Sequence, residues 1–359
     1  MRVLHCIPTM EGGGAERQLS IIAPLIASMG HDIHVASLRG GVFLDRLVAG
    51  GVTVHRVAAY GNHDPLLIPR LVRLARRIRP DVIQTWLTQM DVFGGMAALL
   101  ARIPWVISER SSALGYPRSL KNSLRTFLGR RASAVTSNSA GGDDYWRAHG
   151  QKSIRKIIPN AVAPELTSVA PADPASIGLD PALPLIVFAG RMSPEKNVGV
   201  LVEALERVLP AVPAAAILCG DGPLLAETRA RAGPLIAKRQ LAVAGFCGDV
   251  WSWIRRADVL VSVSTYEGSP NSVIEAMTLR VPVVVSDIPA HRNLFSDGSA
   301  FFADPKSPES VAAAICDALR DRERARRHAE LATALVAQWS PAAVAEDFLS
   351  LYSAVLEAR

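Results

Sequence analysis

Short apolar runs rich in β-branched residues alternate with longer amphipathic stretches along both halves of this chain, and this alternation limits the possible folds. In the first half it predicts strands at residues 3–7, 33–38, 52–57, 82–87, 105–108 and 134–137. In the second half, the runs LIVFA, AAILC, LAVAGF, VLVSV and VPVVVS predict another series. Strands buried on both faces and connected by helices form parallel sheets. The sequence therefore predicts two Rossmann-like α/β domains.

A proline-rich stretch separates the two halves. With 359 residues, the chain is long enough for two separate cores. We interpret 1–163 as the first domain, 164–183 as a linker because of its prolines and small residues, and 184–339 as the second domain. Residues 340–359 predict a final helix, in which Ser340 is the N-cap and Pro341 lies in the first turn.

The charge is distributed unevenly between the halves. Residues 1–165 contain 21 Lys and Arg against 11 Asp and Glu, a net charge of +10, whereas the remainder has 18 against 22, a net charge of −4. Two predicted basic helices, at 66–78 and 117–131, belong to the positive half. An anionic membrane surface or a phosphate-bearing acceptor suits this charge. Nucleic acid does not, because aromatic residues are not interleaved with the basic ones and no nucleic-acid module is recognisable.

Cysteine usage and hydropathy indicate the compartment. Cys6, Cys219, Cys247 and Cys316 are widely spaced and show no metal-binding pattern. The sequence has no uncharged apolar run of 18 residues or more. We therefore expect a cytoplasmic protein that meets the inner face of the membrane peripherally, with reduced thiols and no metal or other cofactor.

Two loops that follow predicted strands carry groups suited to phosphate. TMEGGGAER places Gly13 and Gly14 between the first strand and a helix, where backbone N–H groups can approach an anion. GRMSPEKN places Arg191 and Lys196 five residues apart in the second domain. Arginine can bind two phosphate oxygens, whereas lysine acts as a point charge. These glycines could also form only a tight turn, and the two cations could be solvated surface residues.

The stretch from Asp258 to Pro289 concentrates the strongest functional signal. Between two buried runs it reads TYEGSPNSVIEAM, which predicts a turn and then a helix capped by Asn271 or Ser272 and running to Leu279. The backbone N–H groups of Asn271, Ser272 and Val273 would then be available to an anion. Glu267 lies before these amides and Glu275 after them, and carboxylates suit sugar hydroxyls.

The segment EGSPNSVIEAM, followed by a strand and SDIP, resembles the donor-site signature of the retaining glycosyltransferases of family 4, which have the GT-B fold of two Rossmann-like domains facing each other across a cleft. The run GGGAER also matches the N-terminal loop of that family. The resemblance implies transfer of a sugar from a UDP or GDP donor to a lipid-linked, polysaccharide or small-molecule acceptor. It also implies that the final helix packs back toward the first domain. The sequence has no Asp-x-Asp triplet that could hold a divalent metal, so we expect transfer without a metal.

The resemblance also implies residue roles. Glu267 would contact the transferred sugar and Glu275 the ribose, while the amides of Asn271, Ser272 and Val273 would lie near the sugar phosphate. Arg191 and Lys196 would hold the diphosphate, which Gly13 and Gly14 would approach from the other domain. The family's reaction needs no enzymic nucleophile, since the leaving phosphate takes the acceptor proton.

One position departs from the family pattern. Many members have a histidine just after the strand that here reads PWVISERSS, and the corresponding residue is Arg110. Arginine is always charged and only donates hydrogen bonds, so it suits an acidic sugar or a phosphate better than it suits proton transfer. Alternatively, Arg110 forms a structural ion pair with Glu109, Asp91 or Glu16.

Two other functions remain compatible with this sequence. One is a sugar-nucleotide epimerase, such as a 2-epimerase, which shares the two-domain fold. The other is a non-catalytic protein that binds a nucleotide-sugar. The segment EGSPNSVIE favours transfer over both.

Overall fold

The computed structural model describes residues 1–61, 64–116 and 118–358. These residues form two compact units: Met1–Ala163 together with Trp339–Arg359, and Pro164–Gln338. Within the described residues, no helix is long and apolar enough to cross a membrane. The four cysteines are free thiols.

The first unit is built on a seven-stranded sheet in the order β3-β2-β1-β4-β5-β6-β7, in which all neighbours are parallel. Its strands are β1 (Arg2–Ile7), β2 (Asp32–Ser37), β3 (Thr53–Arg56), β4 (Val82–Trp86), β5 (Trp105–Glu109), β6 (Ala134–Ser137) and β7 (Ile154–Ile157). Its helices up to this point are α1 (Gly14–Ser28), α2 (Leu44–Ala49), α3 (Leu67–Ile78), α4 (Leu87–Ala101), α5 (Leu120–Gly129) and α6 (Ala140–Ala148). The predicted start of the second basic helix, at Pro117, lies outside the described residues.

The second unit is built on a six-stranded parallel sheet in the order β10-β9-β8-β11-β12-β13. Its strands are β8 (Leu185–Ala189), β9 (Ala215–Cys219), β10 (Leu241–Gly245), β11 (Val259–Ser262), β12 (Val283–Ser286) and β13 (Phe301–Ala303). Its α-helices are α7 (Val198–Ala211), α8 (Leu225–Arg231), α9 (Gly233–Ala237), α10 (Val250–Arg256), α11 (Asn271–Thr278), α12 (Pro289–Arg292), α13 (Pro308–Arg320) and α14 (Arg322–Val336). The prediction of two parallel Rossmann-like domains is confirmed.

The proline-rich segment belongs to the second unit. It forms two short 3-10 helices, Pro164–Ser168 and Pro174–Ile177, and buries Leu166 and Leu179. The backbone N–H of Ala172 donates to the carbonyl of Ser252 at 3.0 Å. The segment 164–183, which we interpret from its sequence as a linker, is attached to the second unit by buried apolar side chains and a backbone hydrogen bond.

The last helix, α15 (Pro341–Glu357), completes the first unit. It packs against α1, and Ser340 caps its start by accepting a hydrogen bond from the N–H of Ala343. Tyr352, fully buried, donates its hydroxyl hydrogen to Oε1 of Gln84 on the central strand β4. The first unit is thus assembled from the two ends of the chain.

A buried cluster of charges lies under α4 and α5. The Nε of Arg125 is 2.7 Å from Oδ2 of Asp91, and its Nη2 is 2.8 Å from Oε2 of Glu109. The indole N–H of Trp146 donates to the same Glu109 oxygen at 2.8 Å. All three charged side chains are at most 1% exposed, so one cation compensates two carboxylates inside the unit.

Candidate functional site

In doubly wound sheets, ligands bind beyond the carboxyl ends of the strands, at the point where the strand order reverses. In the second unit this point lies between β8 and β11. Lys196 ends the 3-10 turn Pro194–Lys196 that follows β8, and Glu267 lies in the loop after β11. The Lys196 Nζ is 2.5 Å from the Glu267 Oε1, and the Ser264 hydroxyl donates to the same oxygen at 2.7 Å. A cation and a carboxylate from neighbouring strand ends therefore meet at the expected binding position.

Asn197 fixes the turn that carries Lys196. Its backbone is left-handed, with φ 57°, and its side-chain amide donates to the carbonyls of Val263 at 3.2 Å and Pro305 at 2.7 Å. The N–H of Thr265 donates to the carbonyl of Glu195 at 2.9 Å. The loops after β8 and β11 are thus bonded directly to each other, which holds Lys196 beside Glu267.

Arg191 lies at the start of the same loop. Its side chain is exposed, and it forms no ion pair with any residue that the structure describes. The preceding Gly190 is crowded by Gly220, since a Cβ built on Gly220 would lie 1.7 Å from the Gly190 carbonyl oxygen. Gly220 also has a φ of +150°, a backbone conformation that other residues rarely adopt. The strand end that presents Arg191 thus depends on glycine.

The helix start after Glu267 differs from the prediction in two ways. Pro270 is the N-cap of α11, so Asn271 is already the first helical residue and neither it nor Ser272 caps the helix. The N–H of Val273 donates to the Pro270 carbonyl at 3.0 Å, so this amide is engaged within the helix start, and the Val273 side chain is fully buried. Asn271 and Ser272 are half-buried and remain at the helix start.

Glu275 is a buried residue of α11. Its exposed fraction is 8%, although a solvated helix surface is the ordinary place for a glutamate. It lies on the same helix as Asn271 and Ser272, one turn further along. Its assignment to the ribose remains a prediction.

A buried histidine that no sequence pattern distinguishes, His291, lies close enough to the Lys196–Glu267 pair for both charges to act on it. Nδ1 of His291 lies 2.9 Å from the Ser286 carbonyl and donates to it, and the Ser286 hydroxyl donates to the Ser264 carbonyl at 2.6 Å. Burial lowers the pKa of His291, and the charge of Lys196 adds to this effect while that of Glu267 opposes it. His291 is therefore neutral at pH 7, and its Nε2 is a buried acceptor with no partner among the described residues.

The glycine loop of the first unit already holds a carboxylate. Gly13 is the N-cap of α1 and Gly14 its first residue. A Cβ on Gly13 would lie 2.3 Å from Oε2 of Glu16, whose side chain is buried and whose pKa is raised by burial. An anion approaching Gly13 and Gly14 must therefore displace or neutralise Glu16, and the phosphate role of these glycines remains a prediction.

Arg110 does not form a structural ion pair with Glu109, Asp91 or Glu16, which was our alternative to substrate binding. Glu109 and Asp91 both accept from Arg125 instead, and Arg110 has no ion pair with a described carboxylate. Its guanidinium donates to the Ser108 hydroxyl at 2.9 Å and lies 4.3 Å from the ring centroid of Trp86. Arg110 is therefore a partly buried cation that forms no ion pair with a described carboxylate, and the nearby charge of Glu109 only partly compensates it.

A cavity of about 190 Å³ lies near, but not at, these residues. It lies between the start of α7 and the region of α8, where Asn197, Leu224 and Arg231 contribute to its walls. Arg191, Lys196 and Glu267 are not among its lining residues. No cluster of three or more His, Cys, Asp or Glu that could hold a metal occurs in the described ranges.

Comparison with known families identifies both units. Residues 170–334 match the model described as "Glycosyl transferases group 1", and residues 13–161 match the "Glycosyl transferase 4-like domain". Together the two matches cover every strand of the two sheets except β1. The chain has the domain pair of a GT-B glycosyltransferase. It belongs to the family 4-type glycosyltransferases.

Solved structures share the fold over almost the whole chain. HepE of Anabaena in complex with UDP-glucose is 22% identical, with a TM-score of 0.87 over 99% of this chain and 100% of that one. WaaG, a glycosyltransferase of lipopolysaccharide biosynthesis, is 15% identical, with a TM-score of 0.76 over 98% of this chain and 99% of that one. A UDP-N-acetylglucosamine 2-epimerase also matches, at 14% identity and a TM-score of 0.69 over 98% of this chain and 97% of that one. The fold is therefore GT-B, and it is shared with an epimerase.

Curated relatives match over parts of their length. TuaC of Bacillus subtilis, which carries the name of a teichuronic acid biosynthesis glycosyltransferase, is 27% identical over 67% of this chain and 61% of its own. The alpha-D-kanosaminyltransferase of Streptomyces kanamyceticus is 29% identical over 49% of this chain and 46% of its own. The chain thus spans about half to three fifths of the length of these relatives.

Proposed function

We propose that this protein is a retaining glycosyltransferase that moves a sugar from a UDP or GDP donor to a lipid-linked, polysaccharide or small-molecule acceptor. The observation that carries the proposal is the Lys196–Glu267 pair at the switch point of the second sheet. The complex of HepE with UDP-glucose supports UDP-sugars as the first donors to test. Assays with other nucleotide-sugars and with different acceptors then identify the sugar and the acceptor.

The reaction exchanges one glycosidic bond for another. The bond between the anomeric carbon and the β-phosphate oxygen breaks, and the acceptor hydroxyl oxygen forms the new bond on the same face of the sugar. The acceptor proton passes to the leaving phosphate oxygen. No protein nucleophile and no metal enters this scheme, and the protein acts by positioning substrates and stabilising charge.

Negative charge grows on the diphosphate as the bond breaks, and cations at the end of β8 would stabilise it. Arg191 is exposed and unpaired among the described residues, so it can bind two oxygens without losing another contact. Lys196 is 23% exposed and can turn from Glu267 to phosphate. Glu267 would then accept hydrogen bonds from sugar hydroxyls, and Glu275 from the ribose, with the start of α11 near the sugar phosphate.

The test compares Arg191→Ala, Lys196→Ala and the double variant with Arg207→Ala. Arg207 is an exposed arginine of the same unit that pairs with Glu309, and its removal controls for a general loss of positive charge. Losing one donor to a developing oxyanion costs about 10²–10³-fold in turnover. We expect each site variant to lose about 100-fold, the double variant to lose more, and Arg207→Ala to stay within twofold. Full activity in the double variant would refute the diphosphate assignment.

The two alternative functions need a separate experiment, because the epimerase shares the fold. Incubation with the donor alone decides between transfer and epimerisation, since an epimerase produces a new nucleotide-sugar without an acceptor. A non-catalytic protein would bind donor, seen as a rise in melting temperature, and show no turnover with any acceptor.

We also propose that α5 brings the first unit to an anionic membrane surface. Leu120, Leu124 and Phe127 recur along one face of α5 and are 90%, 41% and 54% exposed. Lys121 and Arg131 flank them and are exposed. Apolar side chains beside basic ones fit an interface with acidic lipid headgroups, where each basic residue contributes about 1 kcal/mol.

Vesicle flotation tests this surface. Wild-type protein should bind phosphatidylglycerol vesicles in low salt, bind phosphatidylcholine vesicles weakly, and be released as salt rises. Leu120→Glu with Phe127→Glu should abolish flotation, whereas Leu331→Glu, at a 50% exposed leucine of the second unit, should not. Equal binding of the double variant would remove α5 from the proposal.

A further inference from the structure

One face of the first sheet carries a row of buried polar side chains. Register partners in parallel strands point to the same face, and so do residues two apart on one strand. His5 is the partner of Gln84, and Trp86 is the partner of Ser108. These four side chains therefore share one face, and Arg110, two residues beyond Ser108, continues it. On the opposite face, Leu4, Cys6, Ile83 and Ile107 belong to a continuous core, and two buried polar residues there, Thr85 and Glu109, are bonded to Asp91 and Arg125.

Two members of this row are buried donors without an acceptor. Nδ1 of His5 accepts the indole N–H of Trp86 at 3.2 Å, so the proton of the neutral ring lies on Nε2, which has no partner in the described part of the chain. Burial, with help from the charge of Arg110, lowers the pKa of His5 to about 3, so the ring is neutral at pH 7. Gln84 accepts from Tyr352, and its side-chain NH₂ has no described partner either. The described residues around this row therefore provide no hydrogen-bond acceptor for these two buried donor groups.

The guanidinium of Arg110 lies at the end of this row. Its Nε donates to Ser108 and its Nη1 to the side-chain oxygen of Asn160 at 3.0 Å, while no hydrogen bond from Nη2 to a described residue exists. Burial lowers the pKa of Arg110 to about 9, and Glu109 only partly opposes this effect, so the group remains a cation at pH 7. Stacking on Trp86 orients the planar fork.

An oriented guanidinium that forms no ion pair of its own, next to buried donors, is suited to bind an acceptor that carries negative charge. Arg110 follows β5, next to β4, and the strand order reverses between β4 and β1. We infer that Arg110 binds a substrate oxyanion, a phosphate or a carboxylate, at this end of the first sheet. The inference rests on the proposed function in that the oxyanion belongs to the acceptor or to the transferred sugar. Sugar phosphates and uronic acids are the chemical classes that supply it.

The first experimental arm measures phosphate binding independently of the donor. In a protein carrying Arg191→Gln and Lys196→Gln, calorimetry with inorganic phosphate and glucose 1-phosphate reports the first unit without the proposed diphosphate cations. Adding Arg110→Gln should weaken glucose 1-phosphate binding at least tenfold. Arg110→Lys should weaken it less, because it keeps the charge and loses the fork. Arg147→Gln, at a 64% exposed arginine of the same unit that pairs with Asp144, should stay within twofold.

The second arm assigns the oxyanion to the donor or to the acceptor. In otherwise wild-type protein, tighter binding of UDP-glucuronic acid than of UDP-glucose, with the difference erased by Arg110→Gln, would place the carboxylate on the transferred sugar. If the two donors bind equally well, and Arg110→Gln still weakens the binding of glucose 1-phosphate, the oxyanion belongs to the acceptor.

Two results separate the inference from the proposed function. If UDP-glucose does not bind wild-type protein, the proposed function fails, while the phosphate arm still decides the role of Arg110. If Arg110→Gln and Arg110→Lys bind every probe as tightly as their parent proteins, the inference is wrong and Arg110 only anchors Trp86 and Asn160. Should Arg110→Gln fail to fold, Arg110→Lys decides alone.

Discussion

Replacing Glu267 by glutamine should tighten nucleotide binding while it slows turnover. In the free protein, Lys196 donates to Glu267 at 2.5 Å, so a diphosphate that binds Lys196 must displace this carboxylate. Glu267→Gln removes the competing charge and keeps a group of the same shape that can accept from Ser264. The transferred sugar, in contrast, loses the carboxylate that we propose it contacts.

The magnitude follows from the exposure of the pair. Exposed ion pairs contribute about 0–1 kcal/mol, and breaking a buried pair costs about 3–5 kcal/mol. Lys196 is 23% exposed and Glu267 9% exposed, which places the pair between these limits but in contact with solvent on the lysine side. A net attraction of about 1 kcal/mol, after solvent screening, corresponds to about a fivefold lower Kd for UDP in the variant.

Calorimetry with UDP, together with UDP release during turnover, tests this prediction. We expect the Kd for UDP to fall about fivefold and kcat to fall at least tenfold. Glu309→Gln, at a 66% exposed glutamate that pairs with Arg207, is the matched control and should change neither quantity. A Kd for UDP that rises in Glu267→Gln would show that Glu267 itself holds the nucleotide and that Lys196 does not need to be released.

Two further predictions concern the stability of the first unit. Arg125→Met should lower the free energy of unfolding by about 3–5 kcal/mol, because it leaves Asp91 and Glu109 buried without their cation; a loss below 1 kcal/mol in urea unfolding would contradict this. His5 should destabilise the fold as the pH falls below 6.5, since its pKa is about 3 when folded and 6.5 when unfolded, so the unfolded chain binds the proton first. Between pH 8 and pH 5 this effect amounts to about 2 kcal/mol, and His5→Gln should lose that much less stability than wild type over the same range.

The sequence predicts the central strands well because burial on both faces demands long apolar runs. β7, with the sequence IRKI, and the three-residue β13 were not predicted. Every residue of β7 is at least partly exposed, so its strand pattern is weak and it is recognisable only once the neighbouring β6 is in place. The proline-rich segment differs from its prediction for another reason. Its composition resembles a linker, but Leu166 and Leu179 are buried in the second unit.

The sequence predicts the loops that carry the candidate site residues, but it does not predict the contacts between their side chains. Arg191, Lys196 and Glu267 each follow a predicted strand, and parallel strands end at one edge of a sheet. Only the strand order shows that β8 and β11 are neighbours, and only side-chain placement shows that Lys196 bonds to Glu267. The sequence does not indicate a role for His291, because a histidine shortly after a proline at the start of a helix is common.

The first unit contains both ends of the chain, and this has a consequence for synthesis. Its sheet is complete once β7 has been made, but α15 is synthesised only after the whole second unit. At about 5–20 residues per second, the ribosome needs about 10–40 s for the intervening chain. During that interval, Gln84 and Trp86 lack their α15 contacts with Tyr352 and Phe348. We expect the nascent first unit to be a chaperone client until α15 emerges from the ribosome, even though the second unit has its whole sequence available earlier.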